Sequence, residues 1–200
     1  MKSRQNGKAV FLDRDGVLNP LVYHREQGII DSPFTAEQYR LLPRAAEAVK
    51  TLREMGYRLV LVSNQPGIAK GHLTREVFEK IREKMESELA RGGACLDAQY
   101  YCFHHPEAVD DEMRADCACR KPSPGMILKA AAEMRLDISH SWMIGDGITD
   151  IQAGKSAGAR TILIGKMKCE LCHYFDEENS RPEAVCADLL EAVKIIESKE

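Results

Sequence analysis

Apolar residues recur along this chain in two alternating rhythms. Short runs at Val10-Phe11-Leu12, Leu59-Val60-Leu61-Val62, Leu96 to Phe103, Trp142-Met143-Ile144 and Thr161-Ile162-Leu163-Ile164 predict strands. The most nearly continuous of them fit strands covered on both faces. Between these runs the period changes to that of a helix. Ala45, Ala46, Val49, Leu52 and Met55 share one face, with Pro43 near the start and Gly56 after the end. Val77, Phe78, Ile81, Met85 and Leu89 form a second face behind the N-cap candidate Thr74, and Arg91-Gly92-Gly93 ends that helix. Met126, Ile127, Ala130, Ala131 and Met134 form a third, with Ser123 as predicted N-cap and Pro124 as first helical residue. A fourth helix is predicted from about Thr149 to Ala157, and a last one from Asp188 with Leu189, Leu190, Val193 and Ile196 inward. Residues 20–42 fit neither rhythm and read as an irregular flap. Strands alternating with helices predict an α/β fold: a doubly wound parallel sheet with helices on both faces.

Two hundred residues without repeats or low-complexity segments suit one domain over residues 1–200 with a substantial core and room for a small insertion. The net charge of −3 is spread along the chain, which argues against a nucleic-acid partner. No apolar stretch has the length of a membrane span, and the polar start Met1 to Asn6 is unlike a secretory leader, so the expected location is the cytoplasm. Seven cysteines fit a disulfide framework poorly because the number is odd. In a reducing compartment, clustered cysteines are more often metal ligands than bridges.

The predicted strands end in polar residues, and the carboxyl edge of an open α/β sheet is where such folds bind ligands. The first strand ends in Asp13-Arg14-Asp15-Gly16. Two carboxylates so close repel, and a cation or a shared proton is expected between them. Alone, Asp-Gly is also a common turn pair. The second strand ends in a polar turn, Ser63 to Gly67, whose first residues carry a hydroxyl and an amide suited to anion oxygens. Arg120-Lys121-Pro122 brings two positive charges before a helix, and Asp146 follows a later strand with Asp150 four residues on. Each piece alone reads as a turn or a solvated pair. Together, carboxylates for a hard cation, a carboxylate nucleophile, and Ser and Lys for phosphate oxygens form a set suited to phosphoryl transfer.

Asp13-Arg14-Asp15-Gly16-Val17, Ser63-Asn64-Gln65, Lys121-Pro122 and Gly145-Asp146-x-x-Thr149-Asp150 resemble the four motifs of the haloacid dehalogenase superfamily of phosphatases. The resemblance runs from residue 10 to about 165. It implies a Rossmann-like core without a large cap domain and Mg²⁺ held by Asp13, the Asp15 carbonyl and Asp146. It also implies Asp13 as nucleophile, Asp15 as general acid and then base, and Ser63 and Lys121 stabilising the transferring phosphoryl group. Asp150 is expected to orient the metal shell or Lys121.

Cys102-Phe103-His104 and Cys117-Ala118-Cys119 are separated by a polar loop of twelve residues. Three thiolates and an imidazole make a closed, structural Zn²⁺ site, giving a zinc loop at about residues 102–119. His105 is an alternative ligand to His104, and the resemblance favours His104. The Cys-x-His-His-Pro and Cys-x-Cys-Arg-Lys-Pro segments look like the zinc-loop subgroup of that superfamily, phosphatases of heptose bisphosphate and of histidinol phosphate. In the heptose enzymes the segments matching Ser63 to Pro66 and Arg120-Lys121 contact substrate, which assigns Asn64, Gln65, Pro66 and Arg120 to binding. The implied substrate is a small phosphorylated sugar, favouring heptose 1,7-bisphosphate with loss of the 7-phosphate. A silent zinc-loop binding module is the non-enzymatic alternative. The flap with Tyr23, His24 and Arg25, Gly147 in place of a frequent Lys, and residues 166–181 depart from the pattern. Lack of a large cap suggests a monomer. Cys169, Cys172 and His173 read as surface groups, Cys95 and Cys186 as buried small residues, and Trp142 as core.

Overall fold

The computed structural model describes residues 7–165 and 180–199. Six parallel strands form the main sheet: β1 (Ala9–Leu12), β4 (Arg58–Asn64), β5 (Ala98–Cys102), β6 (Trp142–Gly145), β7 (Arg160–Ile164) and β8 (Ala184–Cys186). Their spatial order is β5-β4-β1-β6-β7-β8, with β1 paired to β4 on one side and β6 on the other. Among the described residues the α-helices are α1 (Ala45–Glu54), α2 (Arg75–Arg91), α3 (Gly125–Met134), α4 (Ile148–Ala157) and α5 (Leu189–Glu197).

The pleat of β1 explains the two layers. Val10 and Leu12 point to one face and join Leu59, Leu61, Ile144 and Ile162 under α1, α2 and α5. Ala9 and Phe11 point to the other and meet Val60, Val62 and Met143 under α3, with Ala153 of α4. Alternate residues of a strand face opposite sides, so a strand covered on both has no polar positions to offer. Thr74 and Asp188 cap as expected, their side chains accepting from the Val77 and Glu191 N–H groups.

The α/β fold with helices on both faces agrees with expectation, while several local readings change. Ser63 and Asn64 do not open a turn: they are the last residues of β4, paired with Tyr101 and Cys102 of β5. The polar ends of a buried strand look like a turn in sequence because both lack apolar pattern. Pro124, not Ser123, is the N-cap of α3, without a side-chain cap bond. The flap holds an antiparallel hairpin, β2 (Val22–His24) with β3 (Ile29–Asp31). Strand β8, three residues long, is too short to show a period. Cys95 is exposed rather than buried, while Cys186 is buried. Trp142 lies in the core as expected. Cys169, Cys172 and His173 lie outside the described residues. No helix among the described residues is long and apolar enough to cross a membrane.

Candidate active site and candidate metal-binding loop

Parallel strands all end on one edge, so β1, β4 and β6 deliver Asp13, Ser63-Asn64 and Asp146 to one place. Asp13 continues the pairing of its strand, its N–H donating to the Ile144 carbonyl at 3.0 Å. Carboxylate oxygens of Asp13, Asp146 and Asp150 lie within 4.8 Å of one another. Two glycines make this approach possible. A Cβ on Gly16, which has φ +79°, would stand 2.1 Å from an Asp146 carboxylate oxygen, and one on Gly145 would stand 2.2 Å from the Asp150 Cβ.

Lys121 is the cation in this cluster. Its ammonium is 2.9 Å from Asp13 and 2.6 Å from Asp150, and it donates to the Val62 carbonyl at 2.9 Å. Asn64 holds the Lys121 backbone at both ends: its Oδ1 accepts from the Lys121 N–H and its Nδ2 donates to the Lys121 carbonyl, each at 3.0 Å. Burial pulls the Lys121 ammonium down, but Asp13 and Asp150 more than offset it and hold it above the usual lysine range. Burial first, then the like charges of Asp150 and Asp15, raises Asp13 to about 6 against the pull of Lys121. Burial and the charges of Asp13 and Asp150 raise Asp146 to about 7. Three carboxylates stand together, and the one ammonium pairs with two of them. This excess of negative charge on oxygen donors fits a hard cation between Asp13 and Asp146.

The second carboxylate of the β1 motif faces a different environment. Asp15 is buried and accepts from the Arg14 Nε at 3.2 Å and Nη2 at 3.3 Å, from the Asn19 amide at 2.9 Å and from the Gln65 amide at 2.6 Å. Gln65 also donates to the Ser63 hydroxyl at 3.0 Å and accepts from the Arg14 Nη2 at 2.7 Å. Among the residues expected to bind substrate, Asn64 and Gln65 therefore direct their side chains to protein groups. Pro66 is half-buried at the start of the next turn. Arg120 donates to the His104 carbonyl at 3.1 Å and, with Lys121, lines a cavity of about 190 Å³ beside Pro106, Cys117 and Ser123.

Sequence reasoning gave no role to Arg14 or Asn19, both fully buried here. The signal was an arginine between two aspartates, which pattern reading assigns to solvent.

Cys102 ends β5, and the loop after it brings back the other three candidate ligands, His104, Cys117 and Cys119. Cys119 Sγ stands 3.2 Å from Cys102 Sγ, 3.1 Å from Cys117 Sγ and 3.4 Å from His104 Nδ1. All four ligand atoms lie within 4.8 Å of one another. Around a tetrahedral zinc with bonds of about 2.3 Å, ligand atoms stand about 3.8 Å apart, and Cys102 Sγ lies 3.5 Å from Cys117 Sγ and 3.7 Å from His104 Nδ1, so this cluster has the size and chemistry of a closed metal site. His105 is directed elsewhere, its Nδ1 accepting from the Glu107 N–H at 3.0 Å. The loop is also tied to the turn after β4, through the Val109 N–H to the Ala69 carbonyl at 2.8 Å and Lys70 to Glu107 at 3.2 Å.

The HAD-hydrolase-like family matches residues 118–192. Relatives 40% and 42% identical align over about four-fifths of the chain, and the chain belongs to these haloacid dehalogenase-like hydrolases, as a phosphoric monoester hydrolase. Its relatives include the D-glycero-beta-D-manno-heptose-1,7-bisphosphate 7-phosphatase of Pasteurella multocida (strain Pm70), 42% identical over 161 residues, covering 80% of this chain and 82% of that one. The protein of the same name from Escherichia coli (strain K12) is 40% identical over 156 residues and 78% of each chain. The fold is similar to that of the D,D-heptose 1,7-bisphosphate phosphatase from B. bronchiseptica, complexed with magnesium and phosphate. The TM-score is 0.77 at 29% identity, with 96% of this chain and 99% of that chain covered.

Proposed function

We propose that the chain is a cytoplasmic, Mg²⁺-dependent phosphatase that removes the 7-phosphate of D-glycero-D-manno-heptose 1,7-bisphosphate through an aspartyl-phosphate. The observation that carries the chemistry is the cluster of Asp13, Asp146 and Asp150 at the edge of β1 and β6, with the Lys121 ammonium paired to Asp13 and Asp150. The substrate rests on the names of relatives at 40–42% identity.

An oxygen of Asp13 attacks phosphorus while the bond to the sugar oxygen breaks. Asp15 gives its proton to that leaving oxygen. In the second step water attacks the same phosphorus, Asp15 takes the proton of water, and Asp13 leaves as a carboxylate. The proton lost in the first step is thereby regained. Ser63 and Lys121 hold oxygens of the phosphoryl group as charge builds on them. Asp13, Asp146 and the Asp15 carbonyl would hold Mg²⁺, which supplies neutralisation of the phosphoryl charge. Asp150 acts through Lys121, to which it is paired. Arg120 recognises the sugar or its second phosphate, and Pro66 shapes the turn beside them.

Cys102, His104, Cys117 and Cys119 would hold Zn²⁺, which fixes the loop that leads into Arg120-Lys121. Residues 1–200 act as a single domain and a monomer. Metal analysis of the purified protein is expected to find one zinc per chain.

The deciding experiment is phosphate release with Mg²⁺ from heptose 1,7-bisphosphate, histidinol phosphate and fructose 1,6-bisphosphate in parallel. Strong preference for the heptose, with only the 7-phosphate released, supports the reading. Equal rates on all three would retain the chemistry and overturn the substrate.

A further inference from the structure

Gln65 lies one residue past the end of β4, almost wholly buried, in a position that links two groups of the proposed mechanism. Its orientation is fixed by chemistry. Arg14 has only donors, so the Gln65 carbonyl oxygen must face it, and the amide nitrogen must then face Asp15 and Ser63. Its own N–H is tied to the Cys102 carbonyl at 2.7 Å, which fixes the backbone of the residue as well. Arg14, without exposure to solvent, closes the arrangement by donating to both Gln65 and Asp15.

We propose that Gln65 is a positioning residue rather than a substrate contact: one side-chain amide sets the Asp15 carboxylate and the Ser63 hydroxyl at a fixed separation, with Arg14 as its anchor. The inference rests on the reading of Asp15 as acid and base given above. Proton transfer to a leaving oxygen depends on placement to within fractions of an ångström, and a carboxylate free to rotate loses that placement. The ionised Asp15 carboxylate receives four donors, about the number of acceptor sites it has, and the proton that Asp15 carries as acid takes the place of one of them. Two of these donors belong to Arg14, and Arg14 is itself held by Gln65. Removing the Gln65 amide therefore takes away one direct donor and loosens the source of two others.

The test uses kcat/KM for phenyl phosphate and 4-nitrophenyl phosphate in wild type, Gln65→Leu, Asp15→Asn and the double variant. Phenol is the poorer leaving group and depends more on the acid. Gln65→Leu is expected to lower kcat/KM for phenyl phosphate about tenfold more than for 4-nitrophenyl phosphate, as a fraction of the effect of a general acid. In the Asp15→Asn background the same change is expected to leave the ratio of the two substrates unaltered, because the group it acts through is gone.

An equal loss on both substrates, a rise in KM alone, or a leaving-group effect that persists without Asp15 would each overturn the positioning role. If Gln65→Leu does not accumulate as folded protein, Gln65→Asn serves instead. It keeps the amide but is one methylene short, and the same shift in ratio is expected. Phosphate release by wild type that is insensitive to Asp15→Asn would overturn the acid assignment itself, and the positioning role with it. Activity sensitive to Asp15 but with no change of ratio on altering Gln65 would overturn the positioning role alone.

Discussion

Asp13 and Asp15 stand two residues apart, yet their surroundings differ in kind. Around Asp13, three carboxylates face one ammonium, and burial leaves Asp13 and Asp146 raised to about 6 and 7. Around Asp15, one carboxylate faces one guanidinium and two amides, all buried. The first neighbourhood carries more negative charge than its protein partners offset, which suits a cation arriving from solution. The second is closed by protein donors alone and suits a side chain that must keep its place. One motif thus serves two purposes because the end of β4 and the residue after it approach it differently: Asn64, the last residue of the strand, secures Lys121 beside Asp13, and Gln65, just past it, secures Asp15.

This contrast can be broken by experiment, most severely at Asp13 itself. Asp13→Asn should reduce turnover by about a thousandfold or more, since removal of a nucleophile leaves only the residual effect of binding. The same variant should be at least as stable as wild type without metal, because it removes one of three crowded acids. Activity near the wild-type level would end the nucleophile assignment. Lys121→Met should destabilise the metal-free fold by about 3–5 kcal/mol, as breaking a buried ion pair strands its partners. Chemical denaturation with and without Mg²⁺ should show that the deficit shrinks when the cation is present.

Asn19→Ala removes one donor to Asp15 and should destabilise by about 1–3 kcal/mol. That loss should be the same with and without Mg²⁺. A metal-dependent loss would show that the two neighbourhoods are not separate.

The smallest effect is a trend in pH. Asp13 and Asp146 titrate above the ordinary 3.8, so in the metal-free protein the fold favours their protonated forms. The associated stability is fully present below about pH 4 and is lost as pH rises through about 6 and 7. A cation bound to the ionised carboxylates counters that loss. The gain in Tm on adding Mg²⁺ should therefore widen from pH 5 to pH 7.5. A gain independent of pH would place the cation elsewhere.

The sequence carries a large part of this molecule because strands buried on both faces must be written as apolar runs. Val10 to Leu12 and Leu59 to Val62 are legible as strands from their apolar pattern, and the polar residues that follow them are legible too. The hairpin of Val22–His24 and Ile29–Asp31 escaped notice, since three-residue strands cannot establish a period. Cys95 looked like a core residue by type, but its exposure depends on where α2 ends and the next loop turns.

By itself, then, the sequence determined the alternating strands and helices and which acids, bases and thiols were available, because strand ends in a parallel sheet share one edge. Tertiary structure alone decided what those side chains touch. Asn64 and Gln65 appear in sequence as two adjacent amides facing substrate, and only the packing of β4 against the β1 loop and Lys121 turns both toward protein. His104 and His105 differ for the same reason: the loop folds the first ring toward Cys102 and Cys119 and turns the second toward Glu107. Residue type limits which bonds can form, whereas the partner that forms them comes from distant parts of the chain and is fixed only when the layers close.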